Sequence, residues 1–273
     1  MTQTKAVSPG RLAGTALAAC LLALAGAATA APATKGQQAI EDSWGERGVW
    51  KSEFGIWYSG FKSEQDYFNL KLQEPKPAPL NAEARAFRNH VREELSKGRA
   101  IYNPTAQCLP FGVPYMMAIG VPFEIQFSKD RALMLYENQE YRIIYMDGRP
   151  HPADFDPSFH GHSIGHWEGQ TLVIDTIGIK GKNMQIEPHI PFTSQMHVVE
   201  RWTPAGPDKI KVDIVMTDPG TLTEPWKVSG FMGRQKDWDL YEAVCSENNR
   251  IVQDASGANT ALGPDGQPLK PQK

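Results

Sequence analysis

Apolar and polar positions alternate along most of the chain beyond Gly120, and a period of two marks strands that are buried on one face. The cleanest stretch is Lys209-Ile210-Lys211-Val212-Asp213-Ile214, which turns Ile210, Val212 and Ile214 inward and the charges outward. Similar runs occur at Phe123–Phe127, Arg131–Glu137, Tyr141–Met146, His162–Trp167, Thr171–Thr176, Met196–Thr203, Lys209–Met216, Trp226–Gly233 and Trp238–Cys245. Turn-forming links such as Ser128-Lys129-Asp130, Asn138-Gln139-Glu140 and Glu168-Gly169-Gln170 separate several of them. About nine strands joined mostly by short links predict a mainly β fold: an antiparallel up-and-down barrel or strongly curved sheet, lipocalin-like, because closure removes exposed edges.

Upstream the period changes. Residues 31–43 are small and polar and read as a loose leader, and from Trp44 to Phe68 aromatic residues crowd together. Those rings suit packing against the outside or one end of a barrel, with a ligand wall as the alternative. Glu74-Pro75-Lys76-Pro77-Ala78-Pro79 is a stiff connector that closes this 31–79 segment. One helix is expected over 80–98: Asn81 caps it, Ala84, Phe87, Val91 and Leu95 form its apolar stripe, and Gly98 stops it. The barrel domain is expected over 108–255, followed by a polar, disordered tail over 256–273.

The first thirty residues (1–30) read as a signal peptide, with Lys5 and Arg11 ahead of the apolar run Leu12–Gly26 and the cleavage pattern Ala28-Thr29-Ala30. Export to the periplasm or beyond follows, with a lipoprotein anchored through Cys20 as the alternative. Removing that segment leaves roughly 240 residues, ample for one large core. Net charge moves from −3 to −5 as Lys5 and Arg11 leave, with no basic cluster to bind nucleic acid or anionic lipid. No later apolar run is long enough to span a membrane. Cys108 and Cys245 remain, and in an oxidising compartment they can form one disulfide.

Six of the seven histidines fall between residues 151 and 197. His160, His162 and His166 lie close enough to hold a divalent metal if they share a strand face, with Asp154, Asp156 or His197 completing the set. Arg149 and His151 open a long loop reaching Phe159, where an imidazole suits acid–base work and a guanidinium suits an anion. A plain turn, with Arg149 paired to Asp154 or Asp156, is the simpler alternative. His197 and Arg201 share one strand face and Glu200 takes the other. One polar set must therefore point inward, either His197 with Arg201 or Glu200, and an inward His197–Arg201 pair, the arrangement expected at the site, would be accompanied by Glu168, Asp175 or a bound ligand. Arg149, His151, His197 and Arg201 then meet at one barrel mouth, because two strands separate the loop after Asp147 from His197 and the barrel alternates direction. Glu247, just after Cys245, belongs either to a tight turn or to a pocket rim. No G-x-S-x-G, phosphate-binding glycine loop, dinucleotide fingerprint or H-E-x-x-H is present.

A string of short motifs runs from about Cys108 to Asn249: Cys108-Leu109-Pro110, Pro122-Phe123-Glu124-Ile125, Met146-Asp147-Gly148-Arg149-Pro150-His151-Pro152, Gly165-His166-Trp167-Glu168-Gly169 with Thr171-Leu172-Val173, His197-Val198-Val199-Glu200-Arg201, and Asp218-Pro219 with Pro225-Trp226. In these motifs the chain resembles a family of secreted, mostly uncharacterised proteins of soil and aquatic proteobacteria and acidobacteria. The family's late Cys-His-Glu-x-Asn motif is Cys245-Ser246-Glu247-Asn248-Asn249 here, without the histidine, and His160 and His162 fall outside the matching motifs. The resemblance implies a secreted β domain and no particular activity.

Two functions remain in view. One is an enzyme without redox cofactor that acts on a small, aromatic, lignin-derived compound. His151 or His197 would move a proton beside Arg149 or Arg201, in lyase or isomerase chemistry such as formaldehyde release. The other is a periplasmic binding protein for a hydrophobic ligand or a metal. Both take a small molecule as partner, and the sequence carries no signal for oligomeric state.

Overall fold

The computed structural model describes residues 33–46, 48–52, 78–97, 99–101, 104–181, 190–247, 249–253, 258–263 and 265–268. The expected signal peptide with Cys20, most of the aromatic-rich stretch and the end of the tail lie outside the described residues.

Nine strands close into a barrel: β1 (Val49–Ser52), β2 (Phe123–Phe127), β3 (Arg131–Tyr136), β4 (Tyr141–Tyr145), β5 (His162–Glu168), β6 (Thr171–Ile177), β7 (His197–Pro204), β8 (Lys209–Thr217) and β9 (Trp226–Gln235). Eight of them lie where the alternation placed them. The ninth does not. Trp238–Cys245 runs as irregular chain, with Trp238 and Tyr241 exposed. β1 takes its place, pairing Val49–Ser52 with β9 and Trp50 with Phe123 of β2. The closing strand must send a side chain into the core, and Trp50 does so completely, while Val49 on the opposite face is buried as well.

An odd ring cannot alternate direction at every junction, so at least one must be parallel. That junction is β4–β5, joined by the long segment 146–161, and its ladder has only two residue pairs, Ile144↔Ser163 and Tyr145↔Ile164. β5 therefore begins beside the end of β4 and continues past it. Gly165 makes the close approach there achievable: a Cβ would stand 2.6 Å from Met146 Sδ and 2.8 Å from Ile144 Cγ2.

The leader is partly ordered. α1 (Lys35–Gly45) starts in a capping box between Thr34 and Gln37. It ends with Arg234 donating to the carbonyls of Ser43 and Glu46, groups that a helix leaves unpaired. It closes the barrel end where β5 turns into β6. There Gln37 reaches the Gly169 carbonyl and Trp44 packs against Phe127, Trp167 and Trp202. α2 (Ala82–Ser96) is the helix expected from the stripe, with Asn81 as its cap, and a one-turn α3 (Tyr115–Ala118) precedes β2. Part of the tail is ordered too: β10 (Ile251–Gln253) pairs with β11 (Asn259–Ala261), and Asn259 bonds the Ala100 carbonyl.

Inside the barrel the aliphatic and aromatic side chains surround one ion pair, Arg142–Glu200 at 2.6 Å, with both partners fully buried. Cys108 and Cys245 are bridged, their Cα atoms 5.5 Å apart. No described helix is long and apolar enough to cross a membrane. The bridge closes a loop with a sequence separation of 137 residues, for which loop entropy gives on the order of 4–5 kcal/mol. Urea unfolding of Cys108→Ala/Cys245→Ala is expected to show a loss approaching but not exceeding that figure. A wild-type midpoint would mean that the bridge restrains nothing in the unfolded chain.

Candidate functional site

At the barrel end opposite α1, β5 and β7 begin and β6 ends. Residues there alternate faces: Ser163, Thr176 and Val198 are buried, which turns His162, Asp175 and His197 to the outer surface. His151 arrives from the 146–161 crossover and completes a linear chain. His151 Nδ1 lies 2.9 Å from His162 Nδ1, and His151 Nε2 lies 3.0 Å from Asp175 Oδ1. His197 Nε2 reaches the same Oδ1 at 2.8 Å.

Proton accounting orders this chain. An ionised carboxylate only accepts, so both Nε2 atoms facing Asp175 carry protons. A contact between two ring nitrogens needs one proton between them. With His151 neutral, that proton sits on His162 Nδ1, and His162 Nε2 is then an unprotonated acceptor. Burial, reinforced by His151 and Arg149, holds the His162 imidazole below its ordinary range and so keeps it neutral. The hydrogen bond to Asp175 outweighs burial at His197 and raises it. For Asp175, burial pushes the carboxyl up, but the bonds from His197 and His151 prevail and the net shift is downward. One outer-face cluster thus holds an imidazole that favours its neutral form, with no partner for its Nε2 among the described residues, and an imidazole that favours its proton.

Aromatic groups frame the neutral end. Tyr145 stacks on His162 with ring centroids 5.1 Å apart, and the Arg149 guanidinium lies over the Tyr145 ring, 4.1 Å from its centroid. Phe155 is tilted against His162 at 5.9 Å. Phe155 sits over Gly178, whose φ of +68° and missing Cβ leave space that the ring occupies.

The structure brings together some of the expected residues and separates others. His151, His197 and Asp175 lie together, on the outer face rather than around an inward-facing mouth cavity. The alternating-strand argument also fails in detail, since β4–β5 is parallel; the short overlap of the two strands is what returns the crossover to His197's end. His197 and Arg201 point outward, and Glu200 is the inward polar group. Burying Glu200 is tolerable because Arg142 neutralises it; an inward His197–Arg201 pair would have placed cationic groups beside that guanidinium. Arg201 pairs with Glu168 at 2.8 Å on the surface, away from the relay by two strand positions. Arg149 forks onto Asp147 rather than Asp154 or Asp156. Glu247 is exposed in the turn after Cys245.

The three clustered histidines diverge: His160 meets Glu140, His162 meets His151, and His166 meets Glu168. Among the described residues no group of three His, Cys, Asp or Glu side chains takes up a metal-holding arrangement. Tyr145, Phe155 and Arg142 were not singled out from sequence. Arg142 was nonetheless visible there, a cation on the same strand face as Ile144.

No protein-family model matches the chain, and no curated protein or solved structure matches it either.

Because His197 is raised in the folded state, its stabilisation is complete below the ordinary 6.5 and is lost as pH rises through the folded value. Asp175 has the opposite sign: its contribution is present above 3.8 and is lost as pH falls through its lowered value. Both side chains are more than a third exposed, at 41% and 34%, so solvent screening limits the pair to about 1 kcal/mol. Urea unfolding across about pH 5.5 to 8.5 is expected to show that His197→Gln removes an alkaline decline of that size. An identical pH slope in the variant would show that the pair contributes nothing.

Proposed function

We propose that this chain is an exported enzyme that moves a proton on a small aromatic substrate, in lyase or isomerase chemistry, with His162 as the general base. The observation that carries the reading is the unbroken His162–His151–Asp175 chain. A proton taken from substrate by His162 Nε2 is matched by transfer of the Nδ1 proton from His162 to His151. The new positive charge then rests on His151, beside the Asp175 carboxylate, and not on His162, where burial and the nearby Arg149 disfavour it. His197, which favours its proton, is suited to stabilise or protonate the anion formed. The step needs side chains alone.

Tyr145 and Phe155 beside the base favour a planar, apolar substrate, and Arg149 at the rim favours one that bears or develops negative charge. Lignin-derived aromatics have both properties, and formaldehyde release from such compounds is one reaction within this class. The resemblance to secreted proteins, which takes in Arg149, His151 and His197 but not His162, fits this reading, and the Cys108–Cys245 bridge suits an oxidising compartment. Imidazoles linked through a carboxylate favour catalysis over a plain binding module, which needs walls but no proton path.

The test is proton exchange. Lignin-derived aromatics bearing acidic C–H groups, incubated with protein in D₂O, are expected to acquire deuterium by NMR. The rate should fall with acid through the lowered His162 value and with alkali through the raised His197 value. His162→Gln should reduce it by about 10²-fold or more. Exchange that survives in folded His162→Gln would overturn the assignment of the base.

A further inference from the structure

The inner face of the same strands carries polar groups that the proton relay does not use. Arg142 Nε donates to Ser163 Oγ at 3.1 Å, and Nη2 donates to Thr176 Oγ1 at 2.8 Å and Glu200 Oε1 at 2.6 Å. The Ser163 and Thr176 hydroxyls are 2.9 Å apart, and Glu200 Oε2 accepts from Trp202 Nε1 at 3.0 Å. One guanidinium from β4 therefore holds β5, β6 and β7 at once.

Those three strands carry His162, Asp175 and His197 on their outer faces, and β4 itself carries Tyr145. Ser163 is the residue after His162, and Thr176 the residue after Asp175. Successive side chains on a strand take opposite faces, so holding the inner one fixes the backbone from which its outer neighbour projects. The need is greatest at β4–β5, where the backbone ladder has two residue pairs and neighbouring junctions such as β5–β6 have seven. The Arg142–Ser163 bond is an additional tie across this seam, and the Tyr145–His162 stack spans it on the outside.

We propose that Arg142, with Glu200 as its counter-charge, is the positioning residue of the proton relay, setting the His162–His151 contact from the opposite face of the sheet. Arg142 does not itself touch substrate, being sealed within the core. The hydroxyls of Ser163 and Thr176 transmit its position. Glu200 keeps the guanidinium from being an unpaired buried charge, and the Trp202 indole occupies its second oxygen. The inference rests on the relay being the functional centre.

The test separates position from fold. Removing Arg142 alone would strand a buried carboxylate, so both charges are removed together in Arg142→Met/Glu200→Gln. NMR of protein labelled with ¹⁵N-histidine then reads the shared Nδ1 proton and the His162 titration without requiring turnover. In the folded double variant the downfield resonance of that proton is expected to disappear, and His162 to titrate closer to an ordinary imidazole. Deuterium exchange into substrate should fall about ten-fold or more, within the range that misplacement of a catalytic group produces.

Ser163→Ala keeps the ion pair and deletes the side-chain bond across the seam together with the Ser163–Thr176 hydroxyl contact, and the same resonance should shift with the fold intact. A wild-type resonance and titration in either folded variant overturns the proposal. If the double variant does not fold, Ser163→Ala decides alone. A resonance that responds in the variants, with no exchange by the wild type on any substrate offered, would sink the proton-transfer reading and leave the clamp standing.

Discussion

A ring of nine strands contains at least one junction whose neighbours run the same way, and a parallel neighbour cannot be reached by a hairpin. In this barrel the junction is β4–β5, and the chain spends residues 146–161 making the connection. The crossover supplies His151, Arg149 and Phe155. The stagger gives β5 a β4 neighbour only at its start, where His162 faces the crossover on the outer side and Ser163 faces Arg142 on the inner one. The candidate site thus lies at the parallel junction that the odd strand number requires, where the sheet is thin, with a ladder of two residue pairs.

The buried ion pair answers that thinness. Taking a carboxylate and a guanidinium out of water is costly, and an apolar pair of similar volume often serves stability as well or better. The geometry around Arg142 supplies what apolar groups cannot, directed bonds to three different strands. Trp202, Tyr136 and Met117 pack round it, so the bonds act in a medium where they are strong. Burial raises the Tyr136 phenol far above its ordinary range, in keeping with the dryness of the interior.

The two faces of β5 and β6 divide the labour. Inward, charges are paired and closed to water. Outward, His162, His151, Asp175 and His197 form a chain that is partly open to solvent, with opposite protonation preferences at its ends. Both sets depend on one register, because a slip by a single residue would exchange the faces.

Much of this was legible in the sequence. The period of two located eight strands, the capped stripe located α2, and the cysteine count pointed to the bridge that is present. His151 stood out on its long loop, His197 by sharing a strand face with Arg201, and Asp175 as one possible counter-charge. The orientation of the β7 face was not legible: His197-Val198-Val199-Glu200-Arg201 puts polar groups on both sides. The choice depended on Arg142, a residue from β4 that sequence spacing does not connect to Glu200. The closing strand was missed for a similar reason, since Val49–Ser52 is too short to show a period and gains its place by pairing with β9, the far end of the barrel sequence. The amino-acid sequence by itself determined which segments are strands and which side chains share a face, because both follow from local alternation. Only the tertiary structure decided which face is inside, which junction is parallel and which imidazoles meet, because each depends on the closure of the ring and on one charge finding its partner across it.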